Sequence, residues 1–298
     1  DTENPACSVE SVPVSVNDRT RFIYEAACCG LRDFFVKNGY KKACVGVSGG
    51  IDSAVVACLA VAALGAENVR GLMMPSQFSS EGSVEDAKQL AENLGIEFHV
   101  VPITEAYRSI VDTLIPVIGG TDFDATEENI QSRIRTLMLM ALQNKNGYVL
   151  LNCSNKSENA LGICTLYGDT GGAFSVTGDL YKTEMYDLAR YINRKFGAPI
   201  PENILTKEPS SELRPNQKDS DMLPSYEVVD AILYRLIEDG QSREEIINAG
   251  FDSDEVQKIY AMVMRNEKKR FQYPPVLRLS SSSFGHEYRM PLTHKYVK

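Results

Sequence analysis

The stretch Val45-Gly46-Val47-Ser48-Gly49-Gly50-Ile51-Asp52-Ser53 decides the fold class of this chain. It lies between a short apolar run of strand length, 43–47, and a longer run, 55–64, that is apolar all round. Glycines between a strand and a helix let backbone N–H groups approach an anion, and the helix N-terminus adds about half a positive charge. Ser48 and Ser53 add hydroxyl donors, and Asp52 is a carboxylate suited to magnesium beside phosphates. The stretch therefore predicts a phosphate-binding loop, although it lacks the lysine of the kinase-type loop.

Alternating strand and helix patterns extend outward from this loop over about residues 21–200. They predict helices at 21–38, 55–64, 84–94, after the capping-box spacing of Asp124 and Glu127, and at 182–196, with strands at 43–47, 70–74, 96–101 and 148–152. Strands separated by helices indicate βαβ units. We therefore expect an α/β fold with a Rossmann-like, doubly wound parallel sheet and helices on both faces.

Three segments depart from this pattern. Residues 1–20 contain two prolines and no helical period, which predicts a linker or a trimmed tail before a single domain at 21–298. Residues 207–224 are charged and aperiodic and contain three prolines, which is typical of a long ordered loop or a mobile lid. Residues 225–298 are predicted to form a helical C-terminal part, with helices at 226–238, 242–249 and 254–270, followed by a tail.

Composition limits the classes of partner. Forty acidic and 31 basic residues give a net charge of −9, which argues against a protein that coats nucleic acid but not against anionic substrates. No apolar run approaches the roughly 20 residues of a membrane span, so no membrane partner is expected. Seven cysteines without a Cys-x-x-Cys pair predict reduced thiols and a cytoplasmic location.

The loop resembles the pyrophosphatase loop of enzymes that cleave ATP between its α and β phosphates. That group includes GMP synthetase, asparagine synthetase, tRNA-thiolating enzymes and NAD synthetase. Later segments resemble NAD synthetase in the same order, namely SSEGSVEDA (79–87), ENIQSRIR (128–135), SNKSE (154–158), LYGD (166–169), KTE (182–184) and KEPSSELRPNQK (207–218). From about residue 21 to its end, the chain is similar to the NAD synthetase family.

This resemblance implies a ligase that forms a carbon–nitrogen bond in two steps. The nicotinate carboxylate of deamido-NAD attacks the α-phosphorus of ATP, which releases pyrophosphate and forms an acyl adenylate. Ammonia then attacks the activated carbonyl, giving NAD and AMP. The resemblance implies Mg²⁺ as the metal, the small molecules ATP, deamido-NAD and ammonia as partners, and a homodimer.

The resemblance also implies roles for individual residues. ATP would contact Gly46, Val47, Ser48, Gly49, Gly50, Ile51, Asp52, Ser53, Cys153, Lys182 and Ser210. Deamido-NAD would contact Asn129, Arg133, Glu158, Leu166, Asp169, His294 and Lys295. Asp52 and Glu158 each follow an apolar strand, so they should meet at one sheet edge and hold the metal. Catalysis would depend on Asp52, Lys182 and Asp169, the last accepting a proton from incoming ammonium.

Plainer alternatives stay open for several of these residues. Asp169 could cap its own loop, and Glu158 could stabilise a helix N-terminus through the helix dipole. Lys182 could be a solvated surface lysine, although a cation at a helix N-terminus suggests an anionic partner. The pair His294-Lys295 could belong to a basic tail.

Arg133 and Arg135 are two residues apart on a predicted helix, which separates them by about 200° around its axis. They therefore cannot face one ligand from one side of the helix. With Arg133 implied to contact the dinucleotide, we expect Arg135 to make a structural or subunit contact.

The motifs also suggest a branch of the family. Ammonia-dependent members usually have Thr, Lys and Asp where this chain has Cys153, Leu166 and Ala173. The segments 166–169, 179–183 and 212–217 look closer to the synthetase domain of glutamine-dependent members, which carry a nitrilase-like glutaminase with a Glu-Lys-Cys triad. We therefore expect either a stand-alone synthetase of that branch or an excised carboxy-terminal domain, with ammonia supplied in the latter case by a glutaminase domain or subunit.

Two other functions compete with this interpretation. Another ligase with this loop, such as a tRNA thiolase, would generally use a catalytic cysteine pair or a basic RNA-binding part, and the composition disfavours both. A non-catalytic nucleotide-binding regulator of the same fold would not need Asp52, Glu158 and Lys182 together.

Overall fold

The computed structural model describes residues 16–120 and 122–295 of the 298-residue chain. Within these residues five parallel strands form one sheet, in the order β3-β2-β1-β4-β5. The strands are β1 (Lys42–Gly46), β2 (Val69–Met73), β3 (Glu97–Val100), β4 (Tyr148–Asn152) and β5 (Phe174–Ser175). The helices are α1 (Val16–Lys37), α2 (Ile51–Leu64), α3 (Glu81–Leu94), α4 (Thr104–Ile118), α5 (Ala125–Asn146), α6 (Lys156–Leu161), α7 (Lys182–Phe196), α8 (Glu202–Thr206), α9 (Tyr226–Ile237), α10 (Arg243–Asn248), α11 (Ser253–Arg265) and α12 (Glu267–Arg270).

Side chains of the central strands alternate between two apolar layers. Ala43 and Val45 of β1 belong to a core shared with α1, α2 and α7, whereas Cys44 belongs to a core shared with α4 and α5. Because successive side chains of a strand point to opposite faces, helices cover both faces of the sheet. The apolar helix α2 is buried between the sheet and the helices α1 and α7, which explains its lack of a polar face. The predicted α/β class with a parallel sheet is confirmed.

The strand order fixes where a ligand can enter. From β1 the chain adds β2 and β3 on one side and then returns to place β4 on the other side of β1. The connections that leave the carboxyl ends of β1 and β4 therefore run to opposite sides and open a crevice between them. The phosphate-binding loop predicted after β1 lies at this crevice.

The C-terminal helices form a third apolar core together with α6. Leu161 of α6 packs with Val229 of α9 and Ile259 of α11. The tail then lies along the edge strand β5, where the N–H of Ser175 donates to the carbonyl of Pro275 and the N–H of Leu277 donates back to Ser175. The predicted helical C-terminal part is confirmed, and its tail covers backbone groups that would otherwise be left unpaired at the sheet edge.

A fully buried ammonium joins these parts. Lys156 Nζ donates to Glu238, to Ser280 Oγ (2.7 Å) and to the carbonyl of Ser282 (3.0 Å). Its three protons are then used, so Asp179, whose Oδ1 lies 3.0 Å away, stabilises it by charge alone. The site thereby connects α6, α9 and the tail.

The structure differs from the predicted elements in several places. Helix α1 begins five residues earlier than expected, so residues 16–20 are helical rather than linker, and residues 1–15 of the predicted linker lie outside the described residues. Four elements were not predicted, namely α4, α6, α8 and β5; the last three are two to six residues long, too short for a periodic signal. The predicted helix 254–270 is divided at Asn266, whose side chain donates to the carbonyl of Leu161 at 2.7 Å.

Candidate active site

The loop after β1 is shaped by its glycines and serines. Gly49 has φ +79°, and a Cβ atom there would lie 2.2 Å from the carbonyl oxygen of Ser83, so only glycine fits. Ser53 Oγ accepts from the N–H of Ser48 and donates to the carbonyl of Gly50, both at 3.1 Å. Gly50 caps α2 without a side-chain acceptor, which leaves the first N–H groups of the helix for an external anion.

Two carboxylates and one ammonium meet beside this loop. Lys182 Nζ, at the start of α7, lies 2.6 Å from Asp52 Oδ2 in the first turn of α2 and 2.9 Å from Glu158 Oε1 in the first turn of α6. Asn155, which caps α6, also donates to Asp52 Oδ1 at 2.9 Å. Since α2 and α6 follow β1 and β4, Asp52 and Glu158 lie close together at one sheet edge, as the sequence predicts.

Burial and the neighbouring charges shift the pKa values of Lys182 and Glu158. The Lys182 side chain is 4% exposed. Burial disfavours its charge, but the carboxylates of Asp52 and Glu158 more than offset this and hold its pKa well above the usual range. Burial raises the pKa of Glu158 to about 7, against the opposing attraction of Lys182. Lys182 is therefore charged and buried, which excludes the solvated-surface alternative.

Asp169 lies in another part of the cavity wall. Its Oδ1 accepts from the N–H of Thr165 at 2.6 Å and from the hydroxyl of Ser132 at 3.3 Å, while its own N–H donates to Ser132 Oγ at 2.9 Å. Enclosure by the surrounding protein raises the pKa of Asp169 although these hydrogen bonds oppose the shift, and much of its surface still faces the open cavity. Asp169 thus caps its own loop and lines the cavity at once.

The loop 207–224 covers one side of the cavity and contacts α3 and α5 through several polar groups. The Glu212 carboxylate accepts from the N–H of Ser80 (3.2 Å) and from the hydroxyls of Ser80 and Ser83 (both 2.8 Å) at the start of α3. Lys207 Nζ lies 2.9 Å from Asp86 Oδ2. The carbonyl of Leu213 accepts from the buried amide of Gln131 at 2.9 Å.

Most of the residues predicted to contact ATP line one cavity of about 320 Å³. Those that line it are Gly46, Val47, Ser48, Gly50, Ile51, Asp52, Ser53, Cys153, Lys182 and Ser210, together with Glu158 and Asp169 of the predicted dinucleotide set. Burial raises the pKa of the Cys153 thiol, which therefore stays protonated near neutral pH.

The other predicted dinucleotide contacts lie outside this cavity. Arg133 is exposed, and its Nε donates to the carbonyl of Leu166 at 3.2 Å. Asn129 Oδ1 accepts from Thr165 Oγ1 at 2.6 Å, so these residues gather around the loop that contains Asp169. His294 Nε2 lies 2.9 Å from the carbonyl of Met264 at the end of α11, next to the exposed Lys295.

Several residues of the cavity were missed by sequence reasoning. Arg135, expected in a structural contact, lines the cavity from the opposite side of α5 to Arg133. Ser132, Lys207 and Glu212 also line it. Whether these side chains reach the cavity depends on the rotation of a helix and on the path of an irregular loop, and the sequence pattern determines neither. All of them nevertheless lie within motifs that carried the family resemblance.

Comparisons with known proteins decide the family. A family model described as NAD synthase matches residues 23–273. The chain belongs to the NAD synthase family. A glutamine-dependent NAD(+) synthetase of Aquifex aeolicus (strain VF5) is 52% identical over 276 residues, which are 93% of this chain and 48% of that relative. The chain thus spans about half the length of the curated relatives it matches.

Solved structures of NAD synthetases are also similar to this chain. A glutamine-dependent NAD+ synthetase from Acinetobacter baumannii in complex with ADP is 41% identical, with a TM-score of 0.63 over 95% of this chain and 51% of that one. An NH3-dependent NAD synthetase from Campylobacter jejuni subsp. jejuni NCTC 11168 is 29% identical, with a TM-score of 0.66 over 84% of this chain and 95% of that one. The resemblance derived from the motifs is confirmed at the level of the NAD synthase family.

The described residues contain neither a membrane-spanning helix nor a cluster of side chains that could hold a metal ion alone. Within 16–120 and 122–295, no helix is both long and apolar enough to cross a membrane. In the same ranges no three His, Cys, Asp or Glu side chains are grouped so that they alone could hold a metal ion. The six cysteines that the structure covers are free thiols.

Proposed function

We propose that this chain catalyses the ATP-dependent amidation of deamido-NAD by ammonia, with release of AMP and pyrophosphate. The observation that carries the proposal is the triad of Lys182, Asp52 and Glu158 beside an anion-binding loop at the sheet crevice. A regulator that only binds a nucleotide would not need a buried lysine between two carboxylates. Membership of the NAD synthase family supports a ligase that forms a carbon–nitrogen bond.

In the first step, an oxygen of the nicotinate carboxylate attacks the α-phosphorus of ATP. The bond from that phosphorus to the bridging oxygen breaks, and its electron pair leaves with pyrophosphate. The N–H groups at the start of α2 and the Ser48 hydroxyl would hold the departing group, with Lys182 opposite its charge. Cys153 and Ser210, which line the same cavity, would contact the rest of ATP. The related structure that contains ADP supports a nucleotide in this fold.

Asp52 and Glu158 would hold Mg²⁺. Both carboxylates converge on one cation, Lys182 Nζ, and Mg²⁺ in nucleotide sites is commonly held by one or two carboxylates plus phosphate oxygens. These residues therefore fit the ion, with the substrate as the remaining ligand. When bound, it supplies positive charge that neutralises the leaving pyrophosphate.

In the second step, ammonia attacks the acyl carbon and AMP leaves with the electron pair of the acyl–oxygen bond. The nitrogen must then lose a proton, and Asp169, with its raised pKa, would accept it. The gathering of Asn129, Arg133 and Leu166 around the Asp169 loop supports this loop as the dinucleotide side of the site. His294 and Lys295 stay predictions as dinucleotide contacts.

The loop 207–224 would act as the lid that keeps water from the acyl adenylate. Its attachments to α3 and α5 support a closed position over the cavity. A lid of this kind is needed because an acyl adenylate hydrolyses when water reaches it.

Two partners are part of the proposal. The first is a second copy of this chain, supported by the exposed apolar side chains of Val117, Ile118 and Leu137 on the adjacent helices α4 and α5. The second is a glutaminase domain or subunit that supplies ammonia, supported by the matching half of the glutamine-dependent relatives. The cytoplasmic location stays a prediction from the sequence.

The test is incubation of the pure chain with ATP, Mg²⁺, deamido-NAD and ammonium. We expect NAD, AMP and pyrophosphate in equal amounts, and no NAD when ammonium is left out. Transfer of AMP or sulfur to a tRNA would indicate another ligase of this group. Nucleotide binding without turnover would indicate a regulator.

A further inference from the structure

Within the part of the chain that the structure describes, Arg135 is the cation of the cavity without a carboxylate in ion-pair contact. Lys182 is paired with Asp52 and Glu158, and Lys207 is paired with Asp86. Arg135, from the middle of α5, uses Nε to donate to the carbonyl of Met74 at 2.9 Å. Among the described residues its two terminal nitrogens have neither a hydrogen-bond acceptor nor an ion pair.

The nearest carboxylates act on Arg135 only over a longer distance, because both are engaged elsewhere. Glu212 is bound to Ser80 and Ser83, and Asp169 is bound to Thr165 and Ser132. Burial lowers the pKa of Arg135 to about 10, so the guanidinium remains charged at neutral pH. A half-buried charge without a counter-charge is unfavourable unless a ligand supplies one.

The position of Arg135 indicates which phosphate of a nucleotide it could bind. The phosphate-binding loop lies on the α2 face of the sheet, whereas Arg135 reaches the same carboxyl edge from the α5 face, at the end of β2. The cavity wall around it is apolar, with Leu72, Met74 and Leu139, and suits a purine base. If a nucleotide places its terminal phosphates on the loop and its base on this wall, the phosphate attached to its ribose lies between the loop and the wall.

We propose that Arg135 binds the phosphoryl group attached to the nucleoside, which is the α-phosphate of ATP and later the phosphate of the acyl adenylate and of AMP. The two terminal nitrogens of a guanidinium match two phosphate oxygens, a fork that an ammonium lacks. Arg135 would thus remain bound to the phosphoryl group that reacts, while the loop holds the departing pyrophosphate. The nucleotide's identity rests on the proposed function; the anion site itself rests on the unpaired guanidinium.

The experiment compares the affinities of AMP and adenosine, which differ by this phosphoryl group alone. It uses calorimetry on the full chain with Arg135→Gln, Arg135→Lys and, as a matched control, the exposed Arg108→Gln. We expect Arg135→Gln to weaken AMP binding about tenfold or more while adenosine changes less than about twofold, since hydrogen bonds to charged groups are the strong ones. Arg135→Lys should fall between, and Arg108→Gln should match the unaltered chain.

An equal loss of AMP and adenosine affinity would assign Arg135 to structure, and no loss of AMP affinity would also overturn the proposal. If thermal unfolding shows that Arg135→Gln does not fold, the decision passes to Arg135→Lys, which must weaken AMP at least about threefold and leave adenosine unchanged. A chain that prefers AMP through Arg135 but makes no NAD would overturn the proposed reaction and leave this site standing. A chain that makes NAD but shows no preference for AMP through Arg135 would overturn this site and leave the proposed reaction standing.

Discussion

The carboxylate of Glu212 lies 2.8 Å from the hydroxyl of Ser83, so the loop 207–224 is bound to the first turn of α3. Glu212 holds this position with φ +48°, a left-handed conformation that costs energy for a residue with a side chain. The carbonyl of the same Ser83 lies against Gly49 of the loop after β1, which the sequence predicts to bind phosphate. The position of the loop 207–224 is therefore coupled to that of the loop after β1 through Ser83.

Loss of this contact should open the lid. Glu212→Ala removes an acceptor of three hydrogen bonds, and we expect proteolysis within 207–224 to become at least about tenfold faster. Glu208→Ala is the control, because the partner of Glu208, Lys218, belongs to the same loop. ATP with deamido-NAD should protect the unaltered chain, and equal cleavage with and without these ligands would contradict a lid.

Asp52→Asn should abolish turnover. The change keeps the shape of the side chain but removes the charge that faces Lys182 and that would ligate the metal, and metal ions supply several kcal/mol of transition-state stabilisation. We expect less than about a tenth of the unaltered rate of NAD formation. Asp239→Asn, at an exposed position, should leave the rate unchanged; a rate above that limit in Asp52→Asn would remove Asp52 from the metal site.

Nucleotide binding should depend on the protonation of Glu158. Its pKa of about 7 lies above the ordinary value, so the folded chain holds this proton more tightly than the unfolded chain, and that contribution to stability is lost as the pH rises through 7. Because metal binding needs the ionised carboxylate, the affinity for ATP with Mg²⁺ should rise about tenfold between pH 6 and pH 8. The affinity should be flat with pH in Glu158→Gln, and an unchanged slope in that variant would assign the effect to another group.

The chain expressed by itself should form NAD with ammonium and not with glutamine. Hydrolysis of an amide needs an activated nucleophile, a base and oxyanion donors in one site, and the cavity offers a protonated Cys153 without such a set. The rate should rise with pH over the neutral range, because the unprotonated form of ammonia is the nucleophile. Equal rates with glutamine would reveal a glutaminase site, whereas a gain of glutamine use on adding a nitrilase-like chain would favour a split or excised enzyme.

The buried ammonium of Lys156 should be required for stability. Lys156→Met leaves the buried carboxylates of Asp179 and Glu238 without their cation, which typically costs about 3–5 kcal/mol. Urea unfolding measures the loss, with the exposed Lys41→Met as the control. A loss below about 1 kcal/mol would indicate that water or another cation reaches the two carboxylates.

The sequence predicts most of the sheet and the place of the glycine-rich loop after β1, since both depend on local patterns. The strand 148–152 and the helix 182–196 match the structure residue for residue. The meeting of Asp52 with Glu158 follows from parallel topology, because every strand ends at the same edge. Arg135 and Glu212 could not be placed in this way, since one depends on how α5 is rotated against the sheet and the other on the path of an irregular loop.

The environment of Lys156 has a consequence for how the protein is made. Synthesis proceeds from the N-terminus, so Lys156 is in place long before Glu238, Ser280 and Ser282 exist. Until the last of these residues has left the ribosome, burial of the ammonium is unfavourable, since Asp179 alone would face its three protons. The region where α6, α9 and the tail meet can therefore form only once residue 282 has emerged from the ribosome.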